Sequence, residues 1–192
     1  MKSSFIPVSM PDLSDLETRY AAEAVASTWI SSSGTFLDRF ETEFADASSS
    51  RFALATSSGT TALHLALAAL GVGQGDEVIV PSMTYIATAN AVRYCGAEPV
   101  FVDVELATYN IDASKIEQAI TPKTKAIMLA HTLGNPYNLD VITALCKKHA
   151  LWLIEDCCDA LGSTYDGQLV GTFGDIGTLS FYPAHHITTG EG

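Results

Sequence analysis

Four places in this chain of 192 residues have side chains suited to chemistry. Asp156 follows the apolar run Leu151-Trp152-Leu153-Ile154-Glu155, and a carboxylate at the end of a buried strand is costly unless something pairs with it. Ser58-Gly59-Thr60-Thr61 stands between a short apolar run and an Ala- and Leu-rich stretch. A glycine there lets the backbone close on an anion, and the free N–H groups of a helix N-terminus bind phosphate. His185 lies in Ser180-Phe181-Tyr182-Pro183-Ala184-His185-His186; an imidazole, with an ordinary pKa of about 6.5, moves protons near neutral pH. Tyr85 follows Pro81-Ser82-Met83-Thr84 at a strand end, where α/β sheets hold their ligands. Each place also has a plainer reading. Ser58, Thr60 or Asp156 is then a helix N-cap, Tyr85 a core residue beside Ile86 and Ala87, and His185 a structural histidine. His131 follows a strand and is read equally as facing a ligand or as a satisfied core residue. His186 is given no role.

The elements that must position these residues alternate. Helices are expected over Asp12 to Trp29, Thr35 to Ala47, Thr60 to Leu70, Tyr85 to Tyr94, Ala113 to Ala119 and Leu139 to His149, where apolar residues recur at helical spacing or Ala and Leu dominate. In the first, Leu16, Tyr20, Ala24 and Val25 share a side; in the second, Phe36, Phe40 and Phe44 do. Short apolar runs predict strands at Phe52 to Ala55, Glu77 to Val80, Pro99 to Val104, Ala126 to Ala130, Leu151 to Glu155 and Gly177 to Tyr182. Strand–helix alternation at this spacing implies one α/β domain with a mostly parallel sheet covered on both faces.

A net charge of −12 argues against a nucleic-acid partner, which needs clustered Lys and Arg. Hydrophobic content of 47% and a mean hydropathy of +0.21 suit a compact soluble protein. No apolar run reaches the ~18 residues that span a bilayer, and the start, Met1-Lys2-Ser3-Ser4-Phe5-Ile6-Pro7, lacks a signal-peptide core. The expectation is a cytoplasmic protein with no membrane partner. Cys95, Cys146, Cys157 and Cys158 form neither a Cys-x-x-Cys pair nor a zinc ribbon.

The segment Ser180 to Gly192, ending Thr188-Thr189-Gly190-Glu191-Gly192, resembles the cofactor-anchoring segment of the DegT/DnrJ/EryC1/StrS family of sugar-nucleotide aminotransferases. Further landmarks similar to that family run in order: Trp29 to Gly34, Ser57 to Leu63, Gly75 to Ser82, Thr108 to Asp112, and Glu155-Asp156. The resemblance implies the three-layer αβα large domain of a fold-type I pyridoxal-phosphate transferase. Residues 1–192 would be that cofactor-binding domain, cut before a small C-terminal domain and inactive in isolation. It also implies a homodimer, a phosphate site at Gly59, Thr60 and Ser180, Tyr85 stacked on the cofactor, Asp156 on the pyridine nitrogen and Asp159 near the ring oxygen.

The family places a Schiff-base lysine where this chain has His185. An imidazole forms no stable aldimine, so the substitution is similar to the 3-dehydrases of deoxysugar and lipopolysaccharide O-antigen biosynthesis. These hold pyridoxamine 5′-phosphate without a tether. His185 would take a proton from the cofactor's C4′ carbon as the 3-hydroxyl of a nucleotide-linked 4-keto-6-deoxyhexose leaves. Glu155-Asp156-Cys157-Cys158-Asp159-Ala160-Leu161-Gly162 looks like the CDP-sugar branch, in which Cys158 would supply one ligand of a [2Fe-2S] cluster served by a reductase partner. The alternatives are a cluster-free GDP-4-keto-6-deoxymannose 3-dehydratase, an ordinary aminotransferase, and a catalytically silent binding domain.

Overall fold

The computed structural model describes residues 5–7 and 10–190. Its helices are α1 (Asp15–Ser27), α2 (Thr35–Ala47), α3 (Gly59–Ala69), α4 (Ala87–Tyr94), α5 (Ala113–Ala119) and α6 (Leu139–His149). The strands are β1 (Glu77–Pro81), β2 (Glu98–Val102), β3 (Thr124–Ala130), β4 (Trp152–Asp156), β5 (Thr164–Tyr165), β6 (Gln168–Leu169) and β7 (Ile176–Thr178). Five of them form a parallel sheet in the order β2-β1-β3-β4-β7.

Alternation along each strand divides the core in two. Val78, Val80, Ala126, Met128 and Ile154 pack with Leu63 and Leu67 of α3 and Ala91 and Val92 of α4. Ile79, Ile127, Leu129 and Leu153 face the other way, onto Ile116 of α5 and Leu139 and Ile142 of α6. Both faces of the sheet are therefore covered, which is why β1, β3 and β4 read as apolar runs rather than as alternating apolar and polar residues. The helix ends obey local rules. Ser14 and Glu17 close a capping box on α1, and Asn138 accepts from the Val141 N–H at 3.1 Å to start α6.

Several expectations need correction. Phe52 to Ala55 is not a strand; it pairs with nothing in the sheet, and Phe52 and Leu54 are exposed. The apolar side of α1 does not reach the core: no α1 residue is buried. Tyr20 instead meets Phe36 of α2 on the surface. The strand expected from Gly177 to Tyr182 stops at Thr178, because β4, its partner in the sheet, ends at Asp156 opposite it. Val104 leaves β2 and forms an isolated bridge with Ile111. A hairpin of β5 and β6 turns on Asp166-Gly167, both at positive φ; Asp-Gly is the sequence signal for that turn.

Candidate active site

The candidate site lies at the carboxyl ends of β4 and β7 and the N-terminus of α3, on the face covered by α3 and α4. Ser58 caps α3: its hydroxyl accepts from the Thr61 N–H at 3.2 Å, and its own N–H donates to Thr61 Oγ1 at 3.0 Å. The capping reading and the anion reading are thus compatible. The cap serves Thr61, while the N–H groups of Gly59 and Thr60 belong to the first turn, which lacks intrahelical acceptors. Gly59 is buried, and a Cβ built on it would stand 2.8 Å from Ser180 Cβ and 3.1 Å from Cys158 Sγ. Only glycine fits there without displacing its neighbours. Ser180 is itself buried, and its hydroxyl accepts from the Tyr182 N–H at 3.2 Å. Phe181 is held edge-on by Phe40 and Phe44 of α2 at 5.5 and 6.0 Å between ring centroids. The second helix thus fixes the segment that carries Ser180.

Asp156 ends β4 and is 7% exposed. Burial pushes its pKa above the ordinary carboxylate value, against the pull of the Cys158 thiol and the Cys158 N–H; the neighbouring Asp159 adds to the rise. The Cys158 N–H donates to Asp156 Oδ1 at 3.0 Å. No cationic side chain pairs with Asp156 among the ion pairs of the described residues. A buried carboxyl in that state is suited to a protonated ring nitrogen, which would supply both the charge and the donor. Thr178 pairs with Asp156 across the β4–β7 ladder. Its hydroxyl is buried with no hydrogen-bond partner among the described residues.

His185 and Asp159 meet in a way the sequence did not suggest. Asp159 Oδ1 lies 2.9 Å from His185 Nδ1, and the Tyr182 ring stands edge-on to the imidazole at 6.1 Å. With Nδ1–H donated to the carboxylate, Nε2 is the basic nitrogen. Asp159, expected near a cofactor oxygen, thus holds the His185 ring by Nδ1. Tyr85 is 75% exposed at the end of β1, so the core reading is excluded and its ring is open to a ligand. His131 is fully buried, 3.1 Å from Glu155 Oε2 and stacked on Tyr137. It belongs to the opposite face of the sheet.

Cys158 lies between Asp156 and Gly59. Burial is the first cause of its raised pKa, and the Asp156 charge adds to it. A [2Fe-2S] cluster takes about four thiolates, whereas no group of three or more metal-ligating side chains occurs among the described residues. Those residues do not make up the donor set. Nor is any helix among them long and apolar enough to cross a membrane.

Comparison with known proteins gives a consistent answer. The DegT/DnrJ/EryC1/StrS aminotransferase family model matches residues 11–192. GDP-perosamine synthase of Escherichia coli O157:H7 is 52% identical over 188 residues, covering 98% of this chain and 52% of that protein. The dTDP-4-dehydro-2,6-dideoxy-D-glucose 3-dehydratase of Saccharopolyspora spinosa is 52% identical over 162 residues, 80% of this chain and 35% of that protein. Among solved structures, the E. coli GDP-4-keto-6-deoxy-D-mannose-3-dehydratase with bound hydrated PLP superposes with a TM-score of 0.90 at 35% identity, over 96% of this chain and 49% of that one. The chain spans about half the length of the curated relatives it matches. With its parallel α/β sheet and the α3 cradle in place, the chain belongs to the DegT/DnrJ/EryC1/StrS aminotransferase family.

Proposed function

We propose that these residues form the cofactor-binding part of a pyridoxamine-phosphate-dependent sugar-nucleotide 3-dehydrase. The substrate is a CDP-linked 4-keto-6-deoxyhexose in deoxysugar and lipopolysaccharide biosynthesis. The observation that carries this reading is the His185–Asp159 pair at 2.9 Å, on a segment where the family places a lysine. No lysine follows Lys148 in this sequence.

The described residues fit the cofactor. Gly59, Thr60 and Ser180 would hold its phosphate, Asp156 its ring nitrogen, and Tyr85 one face of the ring. When bound, the cofactor supplies an amine for the substrate's keto group and an electron sink. The chain's own residues do the rest. Asp156 keeps the ring nitrogen protonated. Asp159 holds the imidazole by Nδ1, and His185 Nε2 takes and returns a proton. General base catalysis of this kind contributes roughly 10²–10⁴ in rate. A reductase partner and the cluster role of Cys158 would require ligands beyond those described, so no step is routed through them. The homodimer is a proposal too, supported by the exposed apolar residues Leu16, Val25, Trp29 and Ile30 around α1.

A second reading, the GDP-linked 3-dehydratase, is favoured by the similarity to the GDP-4-keto-6-deoxy-D-mannose enzyme. The full-length protein, loaded with pyridoxamine phosphate, is offered the CDP-linked and the GDP-linked 4-keto-6-deoxy sugars in turn. Loss of the 3-hydroxyl from one of them identifies the substrate. Amine transfer to the sugar with the 3-hydroxyl retained would show an aminotransferase and overturn the proposal.

A further inference from the structure

Behind the candidate site, on the α5/α6 face of the sheet, lies a buried cluster that the proposed mechanism does not use. Glu155 is wholly buried. Its carboxylate accepts from His131 Nε2 at 3.1 Å and from the N–H groups of Gly171, Phe173 and Gly174 at 2.9, 2.8 and 2.7 Å. Four donors fill the acceptor capacity of a carboxylate. His131 is sandwiched in turn: Tyr137 stacks on it at 4.1 Å with the rings 4° from parallel. Its own N–H donates to the Asp156 carbonyl at 3.0 Å.

The turn that Glu155 grips sits tight against the sheet. A Cβ on Gly174 would come 2.6 Å from the Leu153 carbonyl oxygen, and one on Gly177 2.5 Å from that of Gly171. The turn leads directly into β7, and the chain past it carries Ser180 and His185. Glu155 therefore anchors the β7 side of the site from behind, while its chain neighbour Asp156 projects to the front.

We propose that Glu155, held by His131, is a positioning residue that fixes Asp156 relative to Ser180 and His185. Its effect is on the spacing between the ring-binding and the phosphate-binding halves of the site, not on either half alone. Moving two binding groups out of register with one rigid ligand leaves each group's own affinity intact but weakens their combination. The proposal rests on the cofactor reading above.

The test compares two probes in the full-length protein: pyridoxamine phosphate, followed by direct titration, and inorganic phosphate, followed as its competitor. In Glu155→Gln the amide NH₂ meets donors, so the grip on the turn is broken. The expected result is a rise of about ten- to hundredfold in the Kd for pyridoxamine phosphate, with the constant for inorganic phosphate changed by less than about twofold. His131→Gln, which keeps an N–H near the position of Nε2, should remain close to wild type, and His131→Leu should follow Glu155→Gln. Unchanged pyridoxamine phosphate binding in Glu155→Gln and His131→Leu overturns the proposal. So does a parallel loss for both probes, which would mark the cluster as merely structural. A wild-type protein that binds phosphate but not pyridoxamine phosphate would instead overturn the cofactor reading.

Discussion

Asp159 Oδ1 and His185 Nδ1 lie 2.9 Å apart although 26 positions separate the two residues in the chain. Both sit at the carboxyl edge of the sheet, Asp159 just past β4 and His185 on the segment that follows β7. The carboxylate is about half exposed, so this hydrogen bond adds little to folding, roughly 0.5–1.5 kcal/mol at most. Its importance is in holding the imidazole by one nitrogen. His185→Asn in the full-length protein should lower kcat by about 10²–10⁴. Asp159→Asn should lower kcat by a smaller factor and leave the thermal midpoint nearly unchanged. Equal activity of Asp159→Asn and wild type would mean that the pair does not orient the base.

Gly59 offers a sharper structural test. A methyl group there would meet Ser180 Cβ at 2.8 Å and Cys158 Sγ at 3.1 Å. Gly59→Ala is expected to cost about 1–3 kcal/mol of stability by overpacking and to weaken pyridoxamine phosphate binding by more than tenfold. Gly73→Ala is the control, because nothing lies within 4 Å of that position. Denaturant melts and cofactor titration on both variants check the prediction, which fails if the two behave alike.

Much of this arrangement was legible in the sequence. The short apolar runs around Ile79, Ile127 and Ile154 announced buried parallel strands. The Gly59 turn and Asp156 were read from local chemistry and Ser180 from the resemblance; the fold sets Gly59 against Ser180 and against Cys158, which donates to Asp156. What sequence could not show was pairing across distance. The resemblance put Asp159 near a cofactor oxygen, and nothing local in the sequence links it to His185, 2.9 Å away. Glu155 looked like the last residue of an apolar strand, and its four donors come from His131 and a turn sixteen to nineteen positions onward. Apolar spacing also misled where the apolar side faces outward. Phe52, Leu54, Leu16 and Val25 follow the rules for buried elements, and all four are exposed.

Replacing His185 with a primary amine should change how the cofactor is held. In the wild-type protein, borohydride treatment after loading with pyridoxal phosphate is expected to leave no cofactor attached at position 185. On the proposed reading Asp156 and the Gly59 turn would still hold the ring beside that side chain, so His185→Lys should retain it covalently. Mass spectrometry of the peptide spanning Ser180 to Gly190 reads the outcome. A variant that binds the cofactor yet stays unmodified would mean that residue 185 does not approach the cofactor's reactive carbon.

Glu155 and Asp156 are neighbours with opposite pH signatures. Burial raises the pKa of Asp156, so its contribution to the stability of the cofactor-free protein is full below the ordinary aspartate value. It is lost as pH rises through the raised folded value. At neutral pH the cofactor-free fold has therefore lost stability that it holds in acid. Asp156→Asn should raise the thermal midpoint there while abolishing tight cofactor binding, and the gain should shrink toward about pH 4. For Glu155, burial pushes the pKa up, but hydrogen bonds from His131, Gly171 and Gly174 outweigh it and leave the carboxyl below its ordinary value. Its stabilisation is present above the ordinary glutamate pKa and is lost as pH falls through the lowered folded value. Glu155→Gln should thus cost about 3–5 kcal/mol at neutral pH, with the deficit narrowing in acid. Thermal melts of both variants from about pH 4 to 8 give the two slopes. Curves running parallel to wild type for either variant would show that the carboxylate concerned has no shifted titration in the fold.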